Sequence, residues 1–408
     1  MTRKRQRSAF APHARPTTAR QAGFGLVELM VSMLIGLVII GALVTLFVNT
    51  SGNNRELARA NSMIENGRFA IKVLEDDLVH AGYWGGLVPM FDDQTSVDPP
   101  TDVPAAVPDP CLPYDPADPW DDDYKMSLIG IPVQVYDDPA TVGSCVAEAI
   151  IDPAEYQPGT DLLIVRRAEL CLPGEADSYC DADDDENLYV QAGFCTAEED
   201  TPYVFDTGEF IDDTNPSPLH KLDCATAADK RKFVSNLYYV RNYAVDAGDG
   251  IPTLVRSQFA ADPATGIAVH QPPVALVEGV EGFRVELGVD DVSKTDDPVA
   301  YGAAVEWEDP LDKVTPTNRG DGVPDGDYVR CDPDCATNPL TLDELMNVTS
   351  ARIYVLARSR EASPNYTDNK TYTLGLAGDV DPPDDKFKRH VFTTTVRLPN
   401  VAGRRVTP

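Results

Sequence analysis

The sequence predicts an α+β fold in which one long N-terminal helix, membrane-spanning and then amphipathic, packs on an antiparallel β-sheet head. Three observations predict it. Proline is absent between Pro16 and Pro89 and frequent from there to the end. Because proline fixes φ and removes a backbone donor, only the proline-free stretch is free to form one long helix. The residues from Phe24 to Val48 carry a single charge, Glu28. Beyond them, runs rich in Val, Ile and Tyr alternate with Gly/Pro/Asp-rich connections, the pattern of strands and turns.

The chain has 408 residues, 34 Lys+Arg against 66 Asp+Glu, a formal net charge of −32 and 43% apolar residues. The apolar share supports a packed core. The acidic balance argues against nucleic acid as a partner, because phosphate backbones need a basic face. Arg3, Lys4, Arg5, Arg7, Arg15 and Arg20 crowd residues 1–23, which hold no acid. Residues 1–23 therefore read as a leader, 24–82 as the N-terminal helix with 24–48 as its spanning part, and 83–408 as a β-rich head. At about 1.5 Å per residue the spanning part crosses a hydrocarbon core roughly 30 Å thick. The basic residues lie before it and the acidic bulk after it, so the positive-inside bias puts the N-terminus in the cytoplasm and the head outside. A small residue, Gly23, precedes the apolar run instead of following it. That order is the reverse of a secretory signal, and cutting after Gly23 would keep the hydrophobic helix. A carboxylate at Glu28 is costly in a bilayer and implies a partner. Ser32 and Gly36 form a small-xxx-small pair on which another helix can pack closely.

These residues carry a resemblance. Gly23-Phe24-Gly25-Leu26-Val27-Glu28-Leu29-Met30 resembles the class III signal of type IV pilins and type II secretion pseudopilins. The resemblance implies that a prepilin peptidase cuts after Gly23 and N-methylates Phe24. It also implies that Glu28 pairs with the N-terminal amine of a neighbouring subunit during docking into a filament. Gly25 departs from the threonine common at that place.

Past Asn54 the helix turns amphipathic. Leu57, Ile64, Ile71 and Leu78 recur every seven residues, and so do Ala60, Gly67, Leu74 and Ala81. Both series are assigned to one stripe, with Asp77 among the charged residues off it. Gly and Ala in half of these positions make shallow knobs, which favours packing on the chain's own sheet over a coiled-coil dimer. A helix from Phe24 to Ala81 would be about 87 Å long at 1.5 Å per residue. Glu65 to Ala70 and Asp77 to Gly85 resemble PilW, a large minor pilin of the type IV pilus, as do Tyr238 to Val255, Val277 to Asp290, Val348 to Ser359 and Thr393 to Pro399. Many PilW sequences have Cys where this chain has Gly86, so no disulfide is carried over to that place.

In the head, strands are expected near Leu128–Tyr136, Asp161–Ala168, Phe233–Val245, Val274–Val289, Asn347–Arg358 and His390–Leu398, with Val285, Leu287 and Val289 alternating against Glu286, Gly288 and Asp290. Eight cysteines, at 111, 145, 171, 180, 195, 224, 331 and 335, all fall in the head. An even number in an oxidising compartment favours disulfides. Spacing alone leaves 105 pairings open; pairing neighbours gives Cys111 with Cys145, Cys171 with Cys180, Cys195 with Cys224 and Cys331 with Cys335. Zinc is the weaker rival, since CxxxC occurs once and the five His are scattered. Two acidic clusters, Asp181 to Glu186 and Asp321 with Asp325 and Asp327, lack the EF-hand spacing, so no cofactor is expected and calcium at the second cluster is the alternative.

No GxSxG elbow, Walker loop, HExxH or dinucleotide fingerprint appears, and an enzyme is not expected. The resemblance implies a minor pilin that enters the filament through its N-terminal helix near the tip and primes assembly. Its expected partners are the major pilin, other minor pilins, a prepilin peptidase, a tip adhesin and the inner membrane, with the head periplasmic before assembly. A J-type pseudopilin of type II secretion and a membrane-tethered ligand-binding or adhesion module are the other readings.

Overall fold

The structure, a computed structural model, describes residues 23, 25–175, 180–198, 202–211, 219–330 and 339–406. In chain order the elements are α1 (Leu26–Leu78), α2 (Asp122–Gly130), β1 (Val133–Tyr136), α3 (Gly143–Ala147), β2 (Leu162–Ala168), β3 (Leu188–Ala192), β4 (Tyr203–Thr207), α4 (Gly208–Ile211) and β5 (Lys230–Arg241). There follow β6 (Thr253–Ala261), β7 (Ala268–His270), β8 (Val274–Glu278), β9 (Val280–Val289), α5 (Leu342–Met346), β10 (Val348–Arg358), β11 (Tyr372–Thr373), β12 (Asp379–Val380), β13 (Arg389–Arg397) and α6 (Pro399–Arg405). The chain forms two compact units divided between Leu57 and Ala58, inside α1 and not at its end.

Within the second unit, an eight-stranded antiparallel sheet runs β1-β2-β5-β3-β4, with β6 joined to β5, β7 and β8, and a three-stranded sheet runs β13-β10-β9. Both contribute to one core. Ala70, Leu74 and Leu78 of α1 share it with Leu163, Val165, Tyr238 and Val240 of the larger sheet and Phe283, Val285, Ile353, Val355 and Val396 of the smaller. The intervening residues Leu162, Ile164, Leu237 and Tyr239 enter a second apolar cluster around the Cys111–Cys145 disulfide. Side chains alternate across a strand, so a strand with an apolar cluster on each face reads as an unbroken apolar run. A third cluster stacks Trp84, Trp120, Phe205, Phe233 and Phe259. The two sheets are tied by Asp161, which is fully buried before β2. Its carboxylate accepts from Arg284 (2.6 Å), Arg330 (2.5 Å) and the Val285 amide (2.7 Å).

Within the expected elements, the structure departs from the sequence reading at four places. Residues 128–130 are helical: Asp121 accepts from the Tyr124 amide at 2.7 Å and, with Asp122 and Asp123, starts α2, so the strand begins only at Val133. The run from Val274 to Val289 is two strands parted at Gly279, whose φ of 79° suits glycine. Glu286 and Asp290 are buried, although alternation assigned them to the other face. Glu286 accepts from the Leu376 amide at 2.6 Å under the β11–β12 hairpin, and Asp290 meets Arg405. Finally, the buried stripe of α1 is Met63, Gly67, Ala70, Leu74, Asp77 and Leu78. One of the two expected series is thus displaced by one residue, and Ile64 and Ile71 only flank the core.

That displacement puts Asp77 in the interior at 7% exposure. Its carboxylate accepts from Asn236 Nδ2 (2.8 Å) and Tyr238 OH (3.0 Å) on β5 and from Arg167 Nε (3.0 Å) on β2. Three further contacts fix this half of the helix. A Cβ at Gly67 would overlap the Phe392 ring of β13, so glycine lets the two approach. Asn66 donates to the Glu278 carbonyl at 2.9 Å, and Arg59 pairs with Glu361 at 2.6 Å. Asn400 of α6 donates to the carbonyls of Val79 and Ala81 just past the helix end, where Gly82 has a φ of 72°.

Removing one member of a buried charge cluster leaves the others unpaired, typically at about 3 kcal/mol or more. Asp77→Ala is therefore expected to destabilise the full chain in detergent by about 3 kcal/mol, read as a lower denaturant midpoint from tryptophan fluorescence, with Asp77→Asn losing less. An unchanged midpoint for Asp77→Ala would show that the carboxylate does not anchor the helix.

Candidate functional site

The first unit is the candidate site, and its chemistry is that of an unpartnered apolar helix. Every described residue from Leu26 to Val48 is exposed except the half-buried Gly36; Leu26 and Phe47 each expose 74% of their surface. An exposed apolar patch on this scale marks a surface that lipid or another protein covers. The helix is long and apolar enough to cross a membrane by length and composition. Its hydroxyls are satisfied internally: Ser32 Oγ donates to the Glu28 carbonyl at 2.7 Å, and Thr45 Oγ1 to the Gly41 carbonyl at 2.9 Å. In hydrocarbon such back-bonding removes the cost of an unpaired donor, so Ser32 and Gly36 present a small surface without an unmet polar group. Nothing lies within 4 Å of a Cβ built on Gly36. The Glu28 side chain is exposed and has no hydrogen-bond partner among the described residues. Gly23 is described and exposed, while Phe24 lies outside the described residues.

The cysteines are placed as follows. Cys111 is joined to Cys145, Cys171 to Cys180 and Cys195 to Cys224, with Cα separations of 5.1, 6.0 and 4.9 Å. Cys331 and Cys335 lie outside the described residues. Among the described residues, one group has metal-ligand spacing, Glu169 with Cys171 and Cys180, but both sulfurs are engaged in the disulfide. The acidic residues from Asp181 to Glu186 are all exposed, and several members of the two clusters also have protein partners. Asp181 pairs with Lys232 (2.6 Å) and Asp183 with Lys230 (3.0 Å), both lysines on β5. Asp321 accepts from the Val323 amide and Asp325 from the Val292 amide, at 3.0 and 2.9 Å; Asp327 is exposed.

One constellation escaped the sequence reading because its members are far apart in the chain. His270 sits between Ser235 Oγ (3.5 Å) and Ser257 Oγ (3.3 Å), which superficially suggests a serine–histidine pair. It is 2% exposed, and Ser257 donates its proton to the Gln271 carbonyl at 2.5 Å, so no substrate reaches it and the hydroxyl is spent. Burial, followed by the charge of Arg166, pushes the imidazole down to about 3. The unfolded chain therefore binds a proton that the folded one refuses. His270 costs no stability above its ordinary pKa of about 6.5, and stability is lost as pH falls from there towards 3. His270→Gln is expected to flatten the fall of unfolding free energy between pH 6 and 4 by up to about 1.4 kcal/mol per pH unit. Parallel curves for the two proteins in pH-resolved denaturation would contradict the neutral assignment.

Comparison with known proteins bears on both units. Residues 237–400 match the family Type IV Pilus-assembly protein W (PilW), and residues 18–44 match the prokaryotic N-terminal methylation motif. The first match runs from within β5 to the start of α6 and includes all of β6–β10 and β13; the second contains Gly23, Phe24, Glu28, Ser32 and Gly36. No curated protein matches the chain. Among solved structures, a type IV-like pilin from Thermus thermophilus is 12% identical over 60% of this chain and 83% of its own, with a TM-score of 0.23, too low to carry an argument. The apolar N-terminal helix, the methylation motif and the matched strands together identify the chain as a type IV pilin-like protein with a PilW domain.

Proposed function

We propose that this chain is a minor pilin of the type IV pilus, a structural subunit that enters the filament through its N-terminal helix. The observation that carries the reading is the exposed apolar half of α1, continuous with a half locked into the head by Asp77. The methylation motif over residues 18–44 and the PilW match over residues 237–400 support the same reading. Prepilin peptidase cuts between Gly23 and Phe24 and N-methylates Phe24. The protein waits in the inner membrane, N-terminus cytoplasmic and head periplasmic. During assembly Glu28 pairs with the N-terminal amine of a neighbouring pilin, because a carboxylate in the apolar layer is stabilised chiefly by an opposite charge. Ser32 and Gly36 let the neighbouring helix approach. Other minor pilins and the major pilin are its partners, with a tip adhesin beyond them. Its place is near the tip, where it primes assembly, and no catalytic step or cofactor enters the role.

Two substitutions test the reading. Gly23→Val is expected to block processing, so that mass spectrometry finds the leader still attached; a normal mature mass would rule out cleavage at this site. Glu28→Ala is expected to leave membrane insertion intact while lowering the protein's amount in sheared pili by roughly tenfold or more, the equivalent of one lost charge pair. Equal amounts in mutant and wild-type pili would remove Glu28 from docking, and N-terminal sequencing of the sheared fraction settles whether Phe24 begins the mature chain.

A further inference from the structure

The head contains a cleft of about 180 Å³, beside β5, β6 and β8, that the filament role does not use. Cross-strand partners share a face of a sheet, and Arg256 stands opposite Tyr238 on β5 and Val274 on β8, with Gln258 opposite Asn236. Arg256 and Gln258 therefore rise from the face on which Asn236 and Tyr238 meet Asp77, and both line the cleft. One wall is fixed by Gln271. Its amide donates to the Gln258 carbonyl (2.8 Å), and its Nε2 to the carbonyls of Ala260 (3.0 Å) and Val269 (3.3 Å). A wall held in this way needs little ordering when a ligand enters.

Glu169, Asp181, Lys232 and Arg256 are the charged members of the lining. Asp181 pairs with Lys232 at 2.6 Å, and Glu169 lies 3.6 Å from Arg167. Arg256 is half-buried, and no carboxylate of a described residue pairs with it. Its Nε is enclosed without a partner, whereas its terminal nitrogens are not enclosed. Beside it stands the Tyr238 hydroxyl, a neutral group whose own proton goes to Asp77 at 3.0 Å. The open end of a guanidinium is a planar fork of donors that matches a carboxylate. The exposed Gln258 adds an amide donor, and Phe259, Pro272 and Val274 add apolar surface. Glu169 and Asp181 repel a doubly charged anion more than a singly charged one. We propose that this cleft binds a group with one carboxylate and a short apolar chain, the carboxylate on the Arg256 guanidinium and the chain against Pro272 and Val274. A free short-chain acid and a glutamate side chain of another polypeptide present this same chemistry.

Butyrate and butyramide, which differ in that charge, test the proposal on the full chain in nanodiscs of zwitterionic lipid by ligand-observed NMR titration. Butyrate is expected to bind roughly tenfold more tightly than butyramide, the difference one charge-assisted hydrogen bond makes. It is also expected to bind more tightly than inorganic phosphate at about pH 8, where phosphate carries close to two charges. Arg256→Gln is expected to erase the preference for butyrate over butyramide. Val274→Trp keeps the guanidinium but lays a ring over it, and Val274 is 61% exposed, so the strand accommodates the change. Butyrate affinity is expected to fall roughly tenfold in that variant, as the ring takes the place of the ligand. No binding of butyrate, equal affinities for butyrate and butyramide in the wild type, a preference that survives Arg256→Gln, tighter binding of phosphate, or unchanged butyrate affinity in Val274→Trp would each overturn the proposal. A capped Gly-Glu-Gly peptide separates the two sources: binding tighter than that of butyrate supports the proposal with a polypeptide as the donor of the carboxylate, and weaker binding supports it with a free acid.

Discussion

A carboxylate buried in the second half of α1 holds the molecule to its purpose. Asp77 is an expensive residue to place in a core, and it is tolerated because Arg167, Asn236 and Tyr238 converge on it from two adjacent strands. Apolar packing of Ala70, Leu74 and Leu78 supplies the general attraction between helix and sheets, but such packing slides. A charge met by directional donors does not, and it fixes both the rotation of the helix and its height on the sheet.

A second buried charge closes the structure from its other end. Arg405 of α6 reaches Asp92, Asn347, Asp290 and the Met346 carbonyl, joining the segment after α1 to the ends of β9 and α5. Burial raises Asp290 to about 6 despite that cation. Together with Asp161, these contacts mean that the head is framed by charges whose partners come from remote parts of the chain, while hydrophobic faces fill the space between.

This division explains what the sequence made legible. The proline-free stretch, the long apolar run and the Gly23–Glu28 signal are local, and α1 with its exposed first half follows from them. β2, β10 and β13 lie close to where their Val- and Ile-rich runs suggested. Partnership at long range was not legible. Nothing near Asp77 announces Asn236, and nothing near Asp290 announces Arg405, so both acids read as solvent-facing. The α2 start was written in Asp121-Asp122-Asp123 but outweighed by the apolar residues after it. Strands β3, β4 and β6 carry polar residues that only a partner strand explains. Of the candidate site, the exposed apolar run was legible, because its signal is local composition, while the roles of Gly23, Glu28, Ser32 and Gly36 are those proposed above.

The disulfides acquire a meaning from where they fall. All three in the described residues close before residue 237, ahead of the stretch that matches the PilW family. Among the described residues, the head ahead of the match is stapled covalently, while packing and buried ions hold the matched stretch. Reduction would then act on the loops 111–145, 171–180 and 195–224, none of which contains Arg167, Asn236 or Tyr238. Opening those loops leaves the buried carboxylate its donors, so the grip on the helix does not depend on the oxidation state of these sulfurs.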